Sequence, residues 1–195
     1  MSPNAAAPQS PADDPLRSLA AFDRYAAKHA DEAGTVAQFR AFVQAHADAA
    51  ERTLAIGHLT GSAWLVDAAG RRVLLTHHRK LDRWLQLGGH ADGDTDLARV
   101  ALREAEEESG LRDLVVEPEI FDLDRHRIPA RDAEPEHWHY DVRHVVRATG
   151  GEDFVVGEES HALAWRDIAA IAHDDSADES LRRMARKWLA RGAGA

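Results

Sequence analysis

Residues 103–111 read Arg-Glu-Ala-Glu-Glu-Glu-Ser-Gly-Leu. On a helix, Glu104, Glu107 and Glu108 stand at i, i+3 and i+4 and share one face. Like charges within a turn oppose each other by roughly 0.2–0.5 kcal/mol per pair. A bound cation removes that repulsion, and hard divalent ions such as magnesium take oxygen ligands of this kind. A solvated acidic helix carries the same pattern, so the run alone leaves both readings open.

A second set of residues has a strand period. His137, His139, Asp141 and Arg143 alternate, which puts them on one face of a strand with Trp138, Tyr140 and Val142 on the other. That polar stripe either lines a substrate pocket or is solvated. His58, Thr60 and Ser62 alternate in the same way, and Asp124-Arg125-His126 is a third polar cluster. The run His77-His78-Arg79-Lys80, followed by Arg83, offers cations to a phosphate.

The elements that must position these groups are legible from periodicity. From Leu16 to about Arg52 the pattern is helical, with Leu19, Phe22 and Tyr25 on one stripe and Val36, Phe39, Val43 and His46 on another. Gly34 is expected to separate two helices that serve as packing or as a lid. Gly61–Val66 and Arg72–Thr76 read as strands joined by Asp67-Ala68-Ala69-Gly70. Asp94 or Thr95 is expected to cap a helix that runs to Ser109 and ends at Gly110, with Ala98, Ala101, Leu102 and Ala105 inward. Leu114–Leu123, His137–Val146 and Asp153–Val156 are expected strands. Trp165–Ala172 is a short element, and Ser176–Ala190 is a closing helix with Leu181, Met184, Ala185, Trp188 and Leu189 inward. Strands and helices mix without a repeating alternation, which points to an α+β class or an α/β/α sandwich.

Composition bounds the function. The 195 residues suit one domain with a small appendage. The Ala/Pro/Ser/Asp-rich residues 1–15 are expected to be a disordered tail, 16–52 a helical extension and 53–195 the main domain. No cysteine is present, which removes disulfides, thiolate metal sites and thiol nucleophiles. The net charge of −10 argues against a nucleic-acid polymer as partner. No stretch approaches a membrane span, and no signal peptide is evident, so a cytoplasmic location without membrane contact is expected. A homodimer is left open.

Gly89, thirteen intervening residues and Arg103-Glu104-Ala105-Glu106-Glu107-Glu108-Ser109-Gly110-Leu111 resemble the Nudix box, G-x5-E-x7-R-E-U-x-E-E-x-G-U, where U is bulky and aliphatic. The match holds if Ala105 serves as U, apart from Thr95 where the pattern has Glu; the usual proline before the glycine pair is Leu87. The resemblance implies an α/β/α sandwich with a mixed sheet and the N-terminal helices as an addition. It implies a hydrolase that cleaves a diphosphate linkage in a nucleoside diphosphate derivative or related phosphorylated small molecule, using Mg2+ or Mn2+. Carried over, Glu104, Glu107 and Glu108 are the metal ligands, joined by the Gly88 carbonyl. Arg103 is the residue that orients the helix. With Thr95 in place of its partner, Arg103 is expected to pair with Asp92, Asp94 or Asp96. Glu159, beside Glu158, is a general-base candidate alongside the box glutamates, and His137, His139, Asp141, Arg143, His58 and Arg79 are the expected substrate contacts. Two rivals of the same fold remain: an isomerase, disfavoured because its cysteine is missing, and a non-catalytic ligand-binding or sensor module.

Overall fold

The computed structural model describes residues 15–131, 135–157 and 160–192, so the expected N-terminal tail lies outside the described residues apart from Pro15. Among the described residues, seven strands form one mixed sheet: β1 (Gly57–Val66), β2 (Arg72–His78), β3 (Arg83–Leu85), β4 (Leu87–His90), β5 (Leu114–Ile128), β6 (His137–Ala148) and β7 (Ser160–Asp167). The order is β3-β2-β1-β6-β5, with β4 added to β1 and β7 to β2. Only β1 and β6 pair in parallel, from Gly57↔Trp138 to Val66↔Arg147; the other ladders are antiparallel. Central β1 is buried along its whole length, as a strand covered on both faces must be.

Among the described residues, five α-helices cover the sheet: α1 (Pro15–Lys28), α2 (Ala33–Ala45), α3 (Leu97–Ser109), α4 (Ile168–His173) and α5 (Glu179–Gly192). On one face, Ala101 and Ala105 of α3 pack with Ala63, Leu65 and Leu74. On the same side Phe22, Phe39 and Phe42 of α1 and α2 join Leu59, Val100, Tyr140 and Val142 in one cluster. The N-terminal helices therefore pack as part of the core. On the other face, Trp64, Val66 and Val145 meet Ile168 and Ile171 of α4 and Leu181, Met184 and Ala185 of α5. The expected sandwich is the observed one.

Several local expectations are corrected. The helical break falls at His29, followed by a 3-10 turn at Ala30–Glu32, while Gly34 lies inside the first turn of α2. Residues 153–156 are not a strand; the strand is Ser160–Asp167, and α4 begins directly after it, capped by the Asp167 carboxylate on the Ala170 amide at 2.8 Å. Asp96, rather than Asp94 or Thr95, caps α3 through the Arg99 amide at 3.2 Å. The α3 stripe is Leu97, Val100, Ala101 and Ala105, and Leu189 of α5 is exposed. Gly110 takes the left-handed conformation expected of a helix-ending glycine, with φ 70°.

On the α5 face, β5 and β6 carry a buried ion network. Arg143, 2% exposed, donates to Asp141 at 2.7 Å, Asp122 at 3.0 Å and Asp124 at 2.9 Å. From α5, Arg183 donates to Asp122 at 2.7 Å, and Lys187 donates to Asp122 at 2.7 Å, to Glu32 at 2.6 Å and to the Tyr25 hydroxyl at 2.7 Å. Burial opposes ionisation of Asp122, but Arg183, Arg143 and Lys187 outweigh it and hold the carboxyl below its ordinary range. Asp124 is held down against burial by His126, Arg143 and Arg183.

Removing one partner of such a network strands the others in low dielectric. Asp122→Ala should lower unfolding stability by about 3–5 kcal/mol, read as a reduced urea midpoint at unchanged slope. Unfolded aspartate titrates near about 3.9, and the folded values lie lower. The network therefore contributes fully above about pH 4 and is lost as pH falls through the depressed range. The acid limb of the wild-type stability curve should be steeper than that of Asp122→Ala.

Candidate active site

The acidic run forms the C-terminal half of α3, as its period requires. Glu107 is exposed, and Glu104 and Glu108 are partly buried. Strand β4 lies against this face. The Gly88 amide donates to Glu108 Oε1 at 2.8 Å. At Gly89 an added Cβ would stand 2.4 Å from Glu104 Oε2, so any side chain there would displace the carboxylate. Burial raises the Glu104 carboxyl above its ordinary value; Arg103 opposes that, while Glu107 and Asp92 add to it. The donor set is therefore carboxylate oxygen with the Gly88 carbonyl adjacent in sequence, one member is strained electrostatically, and a glycine keeps the approach open. These residues fit a hard cation.

Arg103 differs from expectation. Its Nη2 donates to the His90 carbonyl oxygen and to Glu104 Oε1, both at 2.9 Å. The three aspartates are engaged elsewhere: Asp92 with Arg52, Asp94 with Arg99 at 2.7 Å and the Asp96 amide at 2.9 Å, and Asp96 with the α3 N-terminus. Asp92 and Asp94 act on Arg103 only through space. Arg103 thus ties α3 to β4 through backbone. Thr95 leaves its hydroxyl oxygen buried without a hydrogen-bond partner.

The alternating stripe on β6 does share one face, but its members have different surroundings. Asp141 and Arg143 lie in the buried network, and Asp141 also accepts from Thr60 at 3.0 Å, Ser62 at 2.7 Å and Gln86 at 3.1 Å. His137 and His139, further toward the strand's start, gather with His58, His90 and His126, with ring centroids 4.8–5.5 Å apart. Burial first, then neighbouring histidines, lowers His139 to about 2. Burial, His90, His137 and Arg52 lower His58 to about 4 against a weaker pull from the Leu54 backbone. Arg125 lies over the Trp138 ring at 3.8 Å rather than in this cluster. Arg79 donates to the Ser160 carbonyl at 3.0 Å, which ties the turn after β2 to the start of β7. Glu158 and Glu159 lie outside the described residues.

His90 was not singled out by sequence reasoning, and neither was Gln86. The signal for His90 is its place one residue after Gly88-Gly89: on a strand whose glycine faces α3, the next side chain faces the opposite way.

The family model for the NUDIX domain matches residues 58–188. The N-terminal helices lie before that span. Among solved structures, the chain resembles an Ap4A hydrolase of C. elegans, with a TM-score of 0.55, 19% identity, and coverage of 70% of this chain and 98% of that one. It resembles a dihydroneopterin triphosphate pyrophosphohydrolase of E. coli, with a TM-score of 0.54, 19% identity, and coverage of 68% and 95%. A MutT protein of Methanosarcina mazei aligns with a TM-score of 0.53 at 16% identity over 70% and 95%. No curated protein matches the sequence. Among the described residues, no helix is long and apolar enough to cross a membrane.

Two substitutions separate the roles of Thr95 and Arg103. Thr95→Val removes an unpaired buried hydroxyl at nearly constant volume and should be neutral or stabilising by up to about 1 kcal/mol. Arg103→Ala removes a charged hydrogen bond to the β4 backbone and should destabilise by about 1–2 kcal/mol. Urea denaturation of both variants checks the contrast.

Proposed function

The chain belongs to the NUDIX family, and from that premise we propose that it is a metal-dependent hydrolase cleaving a diphosphate linkage in a nucleoside diphosphate derivative or related phosphorylated small molecule. The observation that supports this most is the α3 face itself: three carboxylates at one-turn spacing, with β4 laid against them by the Gly88 amide and the bare Cα of Gly89. Two solved relatives are named for phosphorylated compounds, Ap4A and dihydroneopterin triphosphate.

Glu104, Glu107, Glu108 and the Gly88 carbonyl would hold Mg2+, or Mn2+ in its place. When bound, such an ion neutralises diphosphate charge and lowers the pKa of a coordinated water. The rest is the work of the chain. Arg103 clamps the His90 carbonyl and the Glu104 carboxylate together, which fixes the distance between β4 and the acidic face. Burial raises the Glu104 carboxyl above its ordinary range, a cost that a cation beside it would offset. A base that takes a proton from the attacking water is assigned to a box glutamate or to Glu159, which immediately precedes the Ser160 that Arg79 binds. Substrate contacts outside the acidic face are assigned to Arg79 and to the histidine cluster of His58, His137 and His139 acting as one group. Asp141 and Arg143, buried in the ion network on the same strand, would act by holding those histidines in place. The main domain at 53–195 carries the chemistry, and the extension at 16–52 completes the core.

A panel of nucleoside triphosphates, dinucleotides, nucleotide sugars and ADP-ribose, incubated with Mg2+ or Mn2+, should show release of phosphate, pyrophosphate or a nucleoside monophosphate. Glu107→Gln and Glu108→Gln should each reduce kcat by at least about a hundredfold while the chain stays folded, because each removes a like charge from the face. Turnover at wild-type rate in both variants would refute the ligand assignment. No turnover on any substrate with either metal would favour a binding or sensor module.

A further inference from the structure

His58, His90 and His139 come from three strands, β1, β4 and β6, and each offers a ring nitrogen that lies within 4.8 Å of the other two. Among the described residues, this is the one group of three or more His, Asp or Glu side chains whose ligand atoms converge so closely. The strand register explains the convergence. His58 pairs with His139 across β1 and β6, and His90 pairs with Thr60, two residues along β1 and on the same face.

The centre of the cluster carries an unexplained cost. His58 is 3% exposed; the Leu54 backbone pulls on it weakly, but neither ring nitrogen meets a partner in good hydrogen-bond geometry. A buried imidazole ordinarily satisfies at least one nitrogen, and leaving both unpaired gives up the hydration of a polar ring. Nearby, His137 Nδ1 lies 2.9 Å from the Pro135 carbonyl oxygen. That oxygen only accepts, so Nδ1 carries the hydrogen and Nε2 presents a lone pair. That lone pair accepts from His139 Nε2–H at 3.3 Å, a proton that a shared cation would replace. In a tetrahedral zinc site with metal–nitrogen bonds of about 2.0–2.1 Å, neighbouring ligand nitrogens stand about 3.3–3.4 Å apart. A carbonyl that fixes the tautomer of a ligating histidine is also the usual outer support of such a site.

We propose that His58, His90 and His139 bind a borderline transition-metal cation of the zinc class, with His137 as the fourth ligand. Nitrogen donors alone suit zinc rather than magnesium, so this site is chemically distinct from the carboxylate face of α3. The two sites share β4. Gly89 faces Glu104, and the next residue, His90, faces the histidines while its carbonyl is held by Arg103. A cation among the imidazoles pins the end of the strand that lies over the acidic face. It also places positive charge among the imidazoles at that end of the sheet.

The test uses the full chain without a polyhistidine tag, stripped with chelator and titrated with Zn2+ alone against a chromophoric competitor, and with Co2+ alone for its visible spectrum. The expected result is one equivalent of zinc per chain and the intense absorption of tetrahedral Co2+. His139→Asn and His90→Asn should each weaken zinc by at least about a hundredfold, and His137→Asn by about tenfold or more. Glu107→Gln should keep the full zinc affinity. Zinc should raise the Tm of the wild type and of Glu107→Gln but not of His139→Asn. The partly exposed His90 gives the same reading if the His139 variant fails to fold. Zinc binding unchanged in the histidine variants, zinc lost in Glu107→Gln, or no stoichiometric zinc in the wild type would each overturn the proposal.

Discussion

The fork of Arg143 among three aspartates fixes how the two layers of helices meet the sheet. Asp124 and Asp141 lie directly opposite each other on β5 and β6, and Asp122 lies opposite Arg143. Two carboxylates facing across a ladder repel, so the pairing of these strands depends on the guanidinium between them. Asp122 then recruits Arg183 and Lys187 from α5, and Lys187 reaches on to Tyr25 and Glu32. A single buried carboxylate thereby joins the last helix, the edge of the sheet and the N-terminal helices. Replacing such a network by packed apolar groups is often tolerated, whereas removing one member is not. Its value here is positional. It sets the register that brings the histidines on β1, β4 and β6 to one end of the same face.

Strand β4 does for the acidic face what Arg143 does for the sheet. Four residues long, it is held on one side by β1 and on the other by the Gly88 amide and the Arg103 side chain. The two glycines have different physical reasons: a Cβ at Gly88 would stand 2.3 Å from Ser62 Oγ on β1, and one at Gly89 would occupy the space of the Glu104 carboxylate. Sequence patterns in which a glycine pair precedes an acidic helix thus encode a distance of approach as well as a turn.

The parts of the fold that were legible in the sequence are those whose cause is local. The helix carrying the acidic run, its terminal glycine, the hairpin at Asp67–Gly70 and the two long strands with period-two polarity all follow from spacing and turn chemistry. The errors share a different cause. Residues 153–156 are as β-prone as many strands, yet the edge of β2 is taken by Ser160–Asp167, a choice made by long-range pairing. The helical break at His29 rather than Gly34 is decided by the docking of Tyr25 and Glu32 onto Lys187, 155 or more residues away in the chain. The alternation of His137, His139, Asp141 and Arg143 was visible, but the split between a buried ion network and a histidine cluster was not, because that split depends on which strands lie alongside.

The departure at Thr95 shows how a local pattern can lose one member and keep its geometry. Where the motif has a carboxylate, this chain has a hydroxyl with no partner, and the neighbouring aspartates do not step in. Asp94 and Asp96 are drawn into the turn that starts α3, where a carboxylate on a free amide and on Arg99 is worth more than a second contact to Arg103. Arg103 instead takes the nearest buried acceptor, the carbonyl that follows the glycine pair. A backbone acceptor is less easily moved than a side chain, since it shifts only if the strand does. The arginine therefore couples the acidic face to the position of His90 rather than to the loop, and whatever holds His90 in place also sets the position of Glu104.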